Sequence, residues 1–389
     1  MDESLKKLLD FLIVAEFAQA MLLIFILFVM NRNKKANIFL ATFLFILSSN
    51  FFSYYLSNLG IKILTIIIAT LSLPGISILG TLIYLYALFM TGLIEKLRIK
   101  YLFHFVIYFI NFILFITAVY NLKGSPPESE FFRKTIFIIL SIGFVNSILY
   151  IIYTLFILKK YYKKIENYYS DIERMNLYWV MKITTLSFIV LAFWCITFWS
   201  VHLGIIPKSP AGMVFNVTMF IIINFITAYY LINQPEIFKQ NLEMNREIDD
   251  GTEIKNGTEK YAKQSVDERM QDEYIEKLNS FMDRNKPYLN ENITIKDLAE
   301  FTSIPSHHLS IVINSRLNKN FYTFINEYRV REAIDILDDP ENTEANILAI
   351  AFRAGFNSKS TFNSVFKKIT GQTPSEYRNK IDAKSELAS

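Results

Sequence analysis

The sequence predicts an all-α protein in two parts. A transmembrane bundle of about seven helices occupies residues 1–234, and a water-soluble helical domain occupies 270–389. Three observations predict this. Long apolar runs fill the first part and stop at Pro235. Beyond that point the chain has the charge content of an ordinary soluble protein. Within the second part a helix-turn-helix pattern occurs twice, 52 residues apart. The whole-chain averages, 52% hydrophobic and 15% aromatic over 389 residues, therefore blend a lipid-facing half with an aqueous one.

A helix crosses the roughly 30 Å hydrocarbon core with about 20 apolar residues. Seven stretches qualify: Leu9–Met30, Asn37–Leu59, Ile63–Met90, Tyr101–Tyr120, Lys134–Leu158, Trp179–His202 and Gly212–Ile232. The third is too long for one straight span, and Pro74-Gly75 inside it predicts a kink or a short separate lead-in helix. The first is longer than a signal core and no small-residue cleavage site follows it, so it reads as a retained span.

Lysines and arginines in the short loops set the orientation. The loops after spans 1, 3 and 5 carry eleven (Arg32, Lys34, Lys35; Lys96, Arg98, Lys100; Lys159, Lys160, Lys163, Lys164, Arg174), against seven on the other side, including Lys123 and Lys208. The richer side is expected to be cytoplasmic. This predicts a multi-pass membrane protein, N-terminus outside and C-terminal domain in the cytoplasm.

Within the spans, Glu16 is the one deep acidic residue and the candidate sensing group. Its carboxyl reads equally as a plain polar contact to other helices or interfacial water. Gln19, Asn50, Asn111, Asn146, Asn216 and Asn224 read as hydrogen-bonding links between helices. Tyr54, Tyr55, Trp179, Trp199 and Tyr229 fit an interfacial aromatic belt.

Several function classes fall away. The single Cys195 excludes an internal disulfide or a cysteine metal cluster, and four scattered histidines offer no zinc site, so neither metal nor cofactor is expected. The last span has no lysine for a retinal. Residues 235–306 contain no histidine for a kinase to phosphorylate. No paired catalytic groups mark an enzyme. Residues 235–269, of mixed charge with Asp250-Gly251 and Asn256-Gly257, read as a flexible linker.

In the soluble part, Tyr274, Leu278 and Phe281 mark a first helix. A first helix-turn-helix is expected at about 294–317. Thr294 caps a helix carrying Leu298 and Ala299 inward, a turn falls at Ser303-Ile304, and a second helix opens at Pro305-Ser306 and buries Leu309, Val312 and Ile313. A connecting helix follows at 321–337, with Phe321, Phe324, Ile325, Tyr328, Ile334 and Leu337 on one face. The second unit, about 346–370, repeats the grammar. Ala351 and Gly355 match Ala299 and Ser303, the small Ala letting helices cross and the Gly or Ser suiting a left-handed turn. Ser358 to Phe362 then opens a helix that buries Phe362 and Phe366. Glu327-Tyr328-Arg329 is echoed by Glu376-Tyr377-Arg378.

The run Gly355-Phe356-Asn357-Ser358-Lys359-Ser360-Thr361-Phe362-Asn363, continued by Phe366-Lys367-Lys368-Ile369-Thr370-Gly371-Gln372-Thr373-Pro374-Ser375-Glu376-Tyr377-Arg378, resembles the signature of the AraC/XylS family of transcription regulators. The resemblance covers about 100 residues. It implies a domain of about seven helices whose two recognition helices enter successive major grooves of double-stranded DNA. The chain also looks like the subset of that family with a multi-span membrane N-terminus, so the family's soluble sugar-binding domain has no counterpart here.

Helix phase selects the base-facing residues: Ser306, His307, Ser310, Ile311 and Asn314 in the first recognition helix, and Lys359, Ser360, Asn363 and Ser364 in the second. Arg316, Lys319, Asn320, Arg353, Lys367 and Lys368 are the expected phosphate contacts. Residues 270–380 hold 14 basic and 15 acidic side chains, but 305–331 has four basic to one acidic and 351–380 six to one. The expected function is a membrane-bound, sequence-specific transcription regulator with DNA, the lipid bilayer, a signal ligand of unknown identity and a second copy of itself as partners. The alternative is a transporter or receptor with a protein-binding cytoplasmic tail.

Overall fold

A computed structural model describes residues 3–121, 130–172, 177–207, 210–233, 267–342 and 345–388. The described residues are helical throughout, without a sheet, as the sequence predicts. The chain divides into two compact units, one of residues Met1–Lys159 and Leu177–Asp250, the other of Lys160–Asn176 and Gly251–Ser389. Nearly all of the expected linker, 235–266, and the charges Lys123, Arg174 and Lys208 lie outside the described residues.

The first unit contains α1 (Glu3–Val29), α2 (Lys34–Asn58), α3 (Lys62–Gly75), α4 (Leu79–Met90), α5 (Val106–Asn121), α6 (Glu130–Tyr168, whose last turns belong to the second unit), α7 (Tyr178–His202) and α8 (Pro210–Asn233). Among the described residues, seven helical segments are long and apolar enough to cross a membrane, α3 and α4 counting together as one over Lys62–Met90. Many of their large apolar side chains, such as Phe11, Phe25, Ile63, Phe103 and Phe156, point outward. In water this surface would be prohibitive; against lipid chains it costs nothing.

Pro74 divides the third segment as its chemistry requires. Proline has no N–H and clashes with the preceding turn, and a 3-10 turn over Ile76–Ile78 separates α3 from α4. α6 bonds to the carbonyls of this turn: Ser147 Oγ donates to Ile76 O at 2.5 Å, which also accepts from Leu79 N, and Asn146 Nδ2 donates to Ser77 O at 2.7 Å. Ser147 Oγ also accepts from Gly80 N at 3.2 Å. The approach is so close that a Cβ at Gly80 would lie 2.1 Å from Ser147 O.

Other polar links join helices as expected. Asn111 donates to Ile139 O, Asn50 to Ser72 O, and Gln19 to Ile221 O. Asn216 instead donates to Gly212 O within its own helix. Glu16 is fully buried among α1, α2 and α8, where it accepts from Ser48 Oγ at 2.7 Å and Asn224 Nδ2 at 3.4 Å, so its described partners are neutral. Trp179 departs from the aromatic belt: it is 7% exposed and packs on Tyr86 and Tyr230.

The second unit contains α9 (Glu268–Asn285), α10 (Ile295–Thr302), α11 (Ser306–Arg316), α12 (Phe321–Asp338), α13 (Ile347–Arg353), α14 (Lys359–Thr370) and α15 (Pro374–Ala388). It has two cores. Leu278, Met282, Leu298, Leu309 and Ile313 pack with the first half of α12 through Phe321, Phe324, Ile325 and Tyr328. Ile350, Ala351, Phe356, Phe362 and Phe366 pack with its second half through Val330, Ala333, Ile336 and Leu337. The connecting helix is thus shared by both halves.

Gly80→Val should destabilise the first unit by at least the roughly 1–3 kcal/mol typical of overpacking. Gly212→Ala, whose new Cβ would meet nothing within 4 Å, should be neutral. Thermal denaturation of the purified full chain followed by size-exclusion recovery measures both.

Candidate nucleic-acid interface

The two helix-turn-helix units are built by matching local interactions. Thr294 caps α10 by accepting from Asp297 N, and the Asp297 carboxylate returns to Thr294 N at 2.8 Å, a reciprocal capping box. The chain leaves α10 through Ser303 at φ 55° and leaves α13 through Gly355 at φ 86°. In both turns the next residue's N–H donates back to the small alanine: Ile304 N to Ala299 O at 3.2 Å, and Phe356 N to Ala351 O at 2.9 Å. Gly355 carries a further constraint, since a Cβ there would sit 2.4 Å from Tyr288 O. Pro305 occupies the position just before α11, and Ser358 caps α14 by accepting from Thr361 N at 3.1 Å. Asn346 and Asn320 cap α13 and α12 in the same manner.

The buried stripes are those the sequence predicts. Leu309, Val312 and Ile313 of α11, and Phe362 and Phe366 of α14, are fully buried. The opposite faces carry the expected base-facing residues. On α11, Ile311 and Asn314 are exposed and Ser306, His307 and Ser310 half-buried; Asn314 Nδ2 donates to Ser310 O. The His307 ring lies against His308, which stacks on Tyr274. On α14, Lys359, Ser360 and Ser364 are exposed and Asn363 half-buried.

The expected phosphate-contacting residues divide into two groups. Near α11, Arg316 reaches Asp272 at 3.4 Å and Lys319 reaches Glu327 at 2.6 Å. Asn320 caps α12 and donates to Glu166, and Arg353 donates to Asn342 at 2.7 Å. On α14, Lys367 and Lys368 are exposed, as is Lys359. Positive charge open to a phosphate backbone is therefore concentrated on the second unit. The local basic count over 305–331 also included Arg329, which faces inward.

Arg329 is the functional residue that helix phase alone passed over. It is 1% exposed, in step with the buried Ile325 and Ala333, and a buried register is the signal by which the sequence could have revealed it. Its guanidinium donates to Tyr288 O at 2.8 Å, Asn290 O at 2.9 Å and Glu291 O at 3.3 Å, and lies 5.8 Å from the Phe356 ring centre. It thereby ties the segment before the first unit to the turn of the second. Burial pulls its pKa down to about 10, with Asp171, Tyr322 and Glu291 acting in the opposite direction, so it is a cation at neutral pH. The echoed Arg378 plays a lesser version of this part, donating to Ala345 O at 2.6 Å.

Arg329 also holds a segment from between the fifth and sixth apolar helices. Ser170 Oγ and Ser170 O accept from the guanidinium at 3.1 and 3.4 Å, and Ser170 O also accepts from Asn326 Nδ2 at 3.2 Å. Ser170 Oγ donates to Ile293 O at 2.7 Å, and Tyr169 pairs with Thr294 in an isolated antiparallel bridge. Glu166 accepts from Asn320 at 3.0 Å, and Asp171 accepts from Asn357. Residues 166–171 thus touch both helix-turn-helix units, next to the start of α12 and the start of α14. Nothing local in the sequence announces a contact across 123 to 186 positions.

Residues 298–380 match the helix-turn-helix domain family, and the domain is of the AraC type. Over 112 residues the chain is 30% identical to an uncharacterised HTH-type transcriptional regulator of Staphylococcus aureus strain COL, a stretch that makes up 28% of this chain and 14% of that relative. A second Staphylococcus aureus regulator of the same description is 31% identical over the same length. The uncharacterised HTH-type transcriptional regulator YdeC of Bacillus subtilis is 28% identical over 88 residues, 23% of this chain and 29% of that relative. The chain thus spans about one-seventh of the length of the first curated relatives it matches. No solved structure matches the chain.

Arg329→Met should strip several buried carbonyls of their donor and lower the stability of the second unit by roughly 3–5 kcal/mol. Arg329→Lys should recover little of it, because one ammonium cannot reach acceptors that a planar fork spans. Limited proteolysis of the full chain, scored on cleavage within 267–388, reads both outcomes.

Proposed function

We propose that this protein is a membrane-bound, sequence-specific regulator of transcription, a one-component device in which a stimulus at the membrane or its outer face biases DNA binding in the cytoplasm. The observation that carries the reading is the pair of recognition helices, α11 and α14. Both are set by the same turn chemistry, and both bury an apolar stripe while presenting an outward face of Ser, Asn, His, Ile and Lys. Such side chains bond base edges or touch a thymine methyl. The relatives' descriptions as transcriptional regulators support the same function here.

Two independent lines support the tether. The lysine and arginine excess assigns the loops after spans 1, 3 and 5 to the side of the C-terminal domain. The docking of residues 166–171, which belong to the loop after span 5, onto α12 and α14 supports that same side. In the orientation we propose, the N-terminus lies outside a bacterial inner membrane and the recognition helices lie in the cytoplasm. The docked segment is then the joint through which the membrane part acts. Glu166 and Asp171 place carboxylates on Asn320 and Asn357, beside both recognition helices, where they compete with phosphate. A second copy reading a repeated site is the expected assembly.

Selection of duplexes by the full chain in nanodiscs tests the reading. Sequence-preferring binding is expected. Lys359→Ala and Asn363→Ala should each weaken specific binding by roughly 1–3 kcal/mol while sparing non-specific binding. Lys367→Ala with Lys368→Ala should weaken both alike and lower the salt slope by about two. No sequence preference at any salt would overturn the proposal in favour of a protein-binding tail.

Glu166→Ala with Asp171→Ala should raise affinity for any duplex at low salt, roughly twofold to tenfold, and the gain should fade as salt screens it. Fluorescence anisotropy measures this. Unchanged affinity would reduce the segment to a structural prop.

A further inference from the structure

The first unit contains a cavity of about 800 Å³ where the N-terminal end of α6, the C-terminal end of α7 and the N-terminal end of α8 meet. This is within the range of small-molecule sites, which are mostly apolar with a few placed polar groups. Its walls are aromatic. Phe51 stacks on Trp194 at 5.4 Å, Phe144 meets Trp194 edge-on behind them, and Phe137 packs on Phe198. These rings form a continuous surface for a flat or chain-like apolar body.

The polar groups sit at the other end. Glu130, Arg133 and Lys134, all three exposed, line the cavity on the first turn of α6, and Lys134 is paired with Glu130 at 2.6 Å. Arg133 therefore supplies the net charge. His202 closes the opposite side, stacked on Phe137 with ring centres 3.8 Å apart. Two helix N-termini, those of α6 and α8, add partial positive charge against the single C-terminus of α7. Asn216 lines the same space at 3% exposure. Its Nδ2 donates to Gly212 O, but its Oδ1 is buried with no hydrogen-bond partner.

We propose that this cavity is a binding site for an amphipathic anion: one apolar chain or ring system seated on Phe51, Trp194 and Phe198, and one acidic head, carboxylate or phosphate, held at Arg133. Charge selects the head, and the aromatic wall selects the body. The same chemistry is offered by an anionic lipid entering from the bilayer and by a fatty or aromatic acid arriving from water. The proposal stands on the cavity alone and is independent of what the second unit binds.

The test is contact quenching of tryptophan in the full chain, held in nanodiscs of neutral phosphatidylcholine. A brominated fatty acid is added from solution in one arm, and brominated phosphatidylglycerol is built into the disc in another. Saturable quenching that disappears in Trp194→Phe is expected, and the arm in which it occurs identifies the source. A brominated alcohol of the same length should bind about tenfold more weakly, and Arg133→Gln should lower affinity for the acid by about tenfold. Gly212→Leu, at a position with open space around its Cβ, should fill the cavity and abolish saturation without unfolding the chain. Equal quenching by acid and alcohol, an unchanged affinity in Arg133→Gln, or no saturable quenching in either arm would each overturn the proposal.

Discussion

The buried guanidinium of Arg329 is the interaction on which the second unit depends. Two small cores, each the size of one helix-turn-helix, share only the connecting helix α12. Apolar contacts along a single helix would fix the distance between the two recognition helices but leave their relative twist soft. Arg329 stands at the middle of α12, bonds the backbone of the 288–291 segment on one side and faces the Phe356 ring on the other. Gly355 lets that same segment approach to contact. Burying a charge is unfavourable unless its donors are met, so the geometry that meets them is specified sharply. A reader of two sites on one DNA face needs such a fixed twist.

The same guanidinium couples the reader to the rest of the chain. Its remaining hydrogen bonds go to Ser170, in a segment whose neighbours Glu166 and Asp171 reach the first residues around α12 and α14. A device that senses at a membrane must convert a shift of helices into a change at a distant face. A short segment continuous with α6 and hydrogen-bonded to both halves of the reader is a physical route for that conversion, because any displacement of it breaks bonds to buried groups. The two ends of the coupling would then be the aromatic cavity at the start of α6 and the docked segment at its end.

Charge distribution sharpens the account of DNA contact. A net charge near zero over 270–380 argues against a general basic clamp, and the pairing of Arg316 and Lys319 with carboxylates reduces the share of the first helix-turn-helix further. The second helix-turn-helix keeps Lys367 and Lys368 exposed. On the proposed function, an asymmetric reader would follow, in which α14 supplies most of the phosphate grip and α11 contributes shape and base contact. Electrostatic affinity is moderate in such an arrangement, and specificity rests on base edges.

The sequence by itself determined the helical class, the number of long apolar segments, the break at Pro74, and both helix-turn-helix units with their buried stripes. These features follow from short-range rules: hydrophobic period, the missing N–H of proline, the capping chemistry of Thr294 and Ser358, and the left-handed tolerance of Gly355. The outward faces of α11 and α14 were legible for the same reason, since burying Leu309 or Phe362 dictates what points away. Tertiary structure alone decided which charges are available. Arg329 turned from a surface cation into a buried tie, Arg316 and Lys319 into ion-pair partners, and Asn320 into a cap. It also decided that Asn146 and Ser147 bond to the carbonyls of the turn after Pro74, that Trp179 lies inside, and that residues 166–171 belong with a domain more than a hundred positions away. Each of these depends on which groups meet across long stretches of chain, and no local pattern of polarity encodes the partner of a side chain that the fold brings to it.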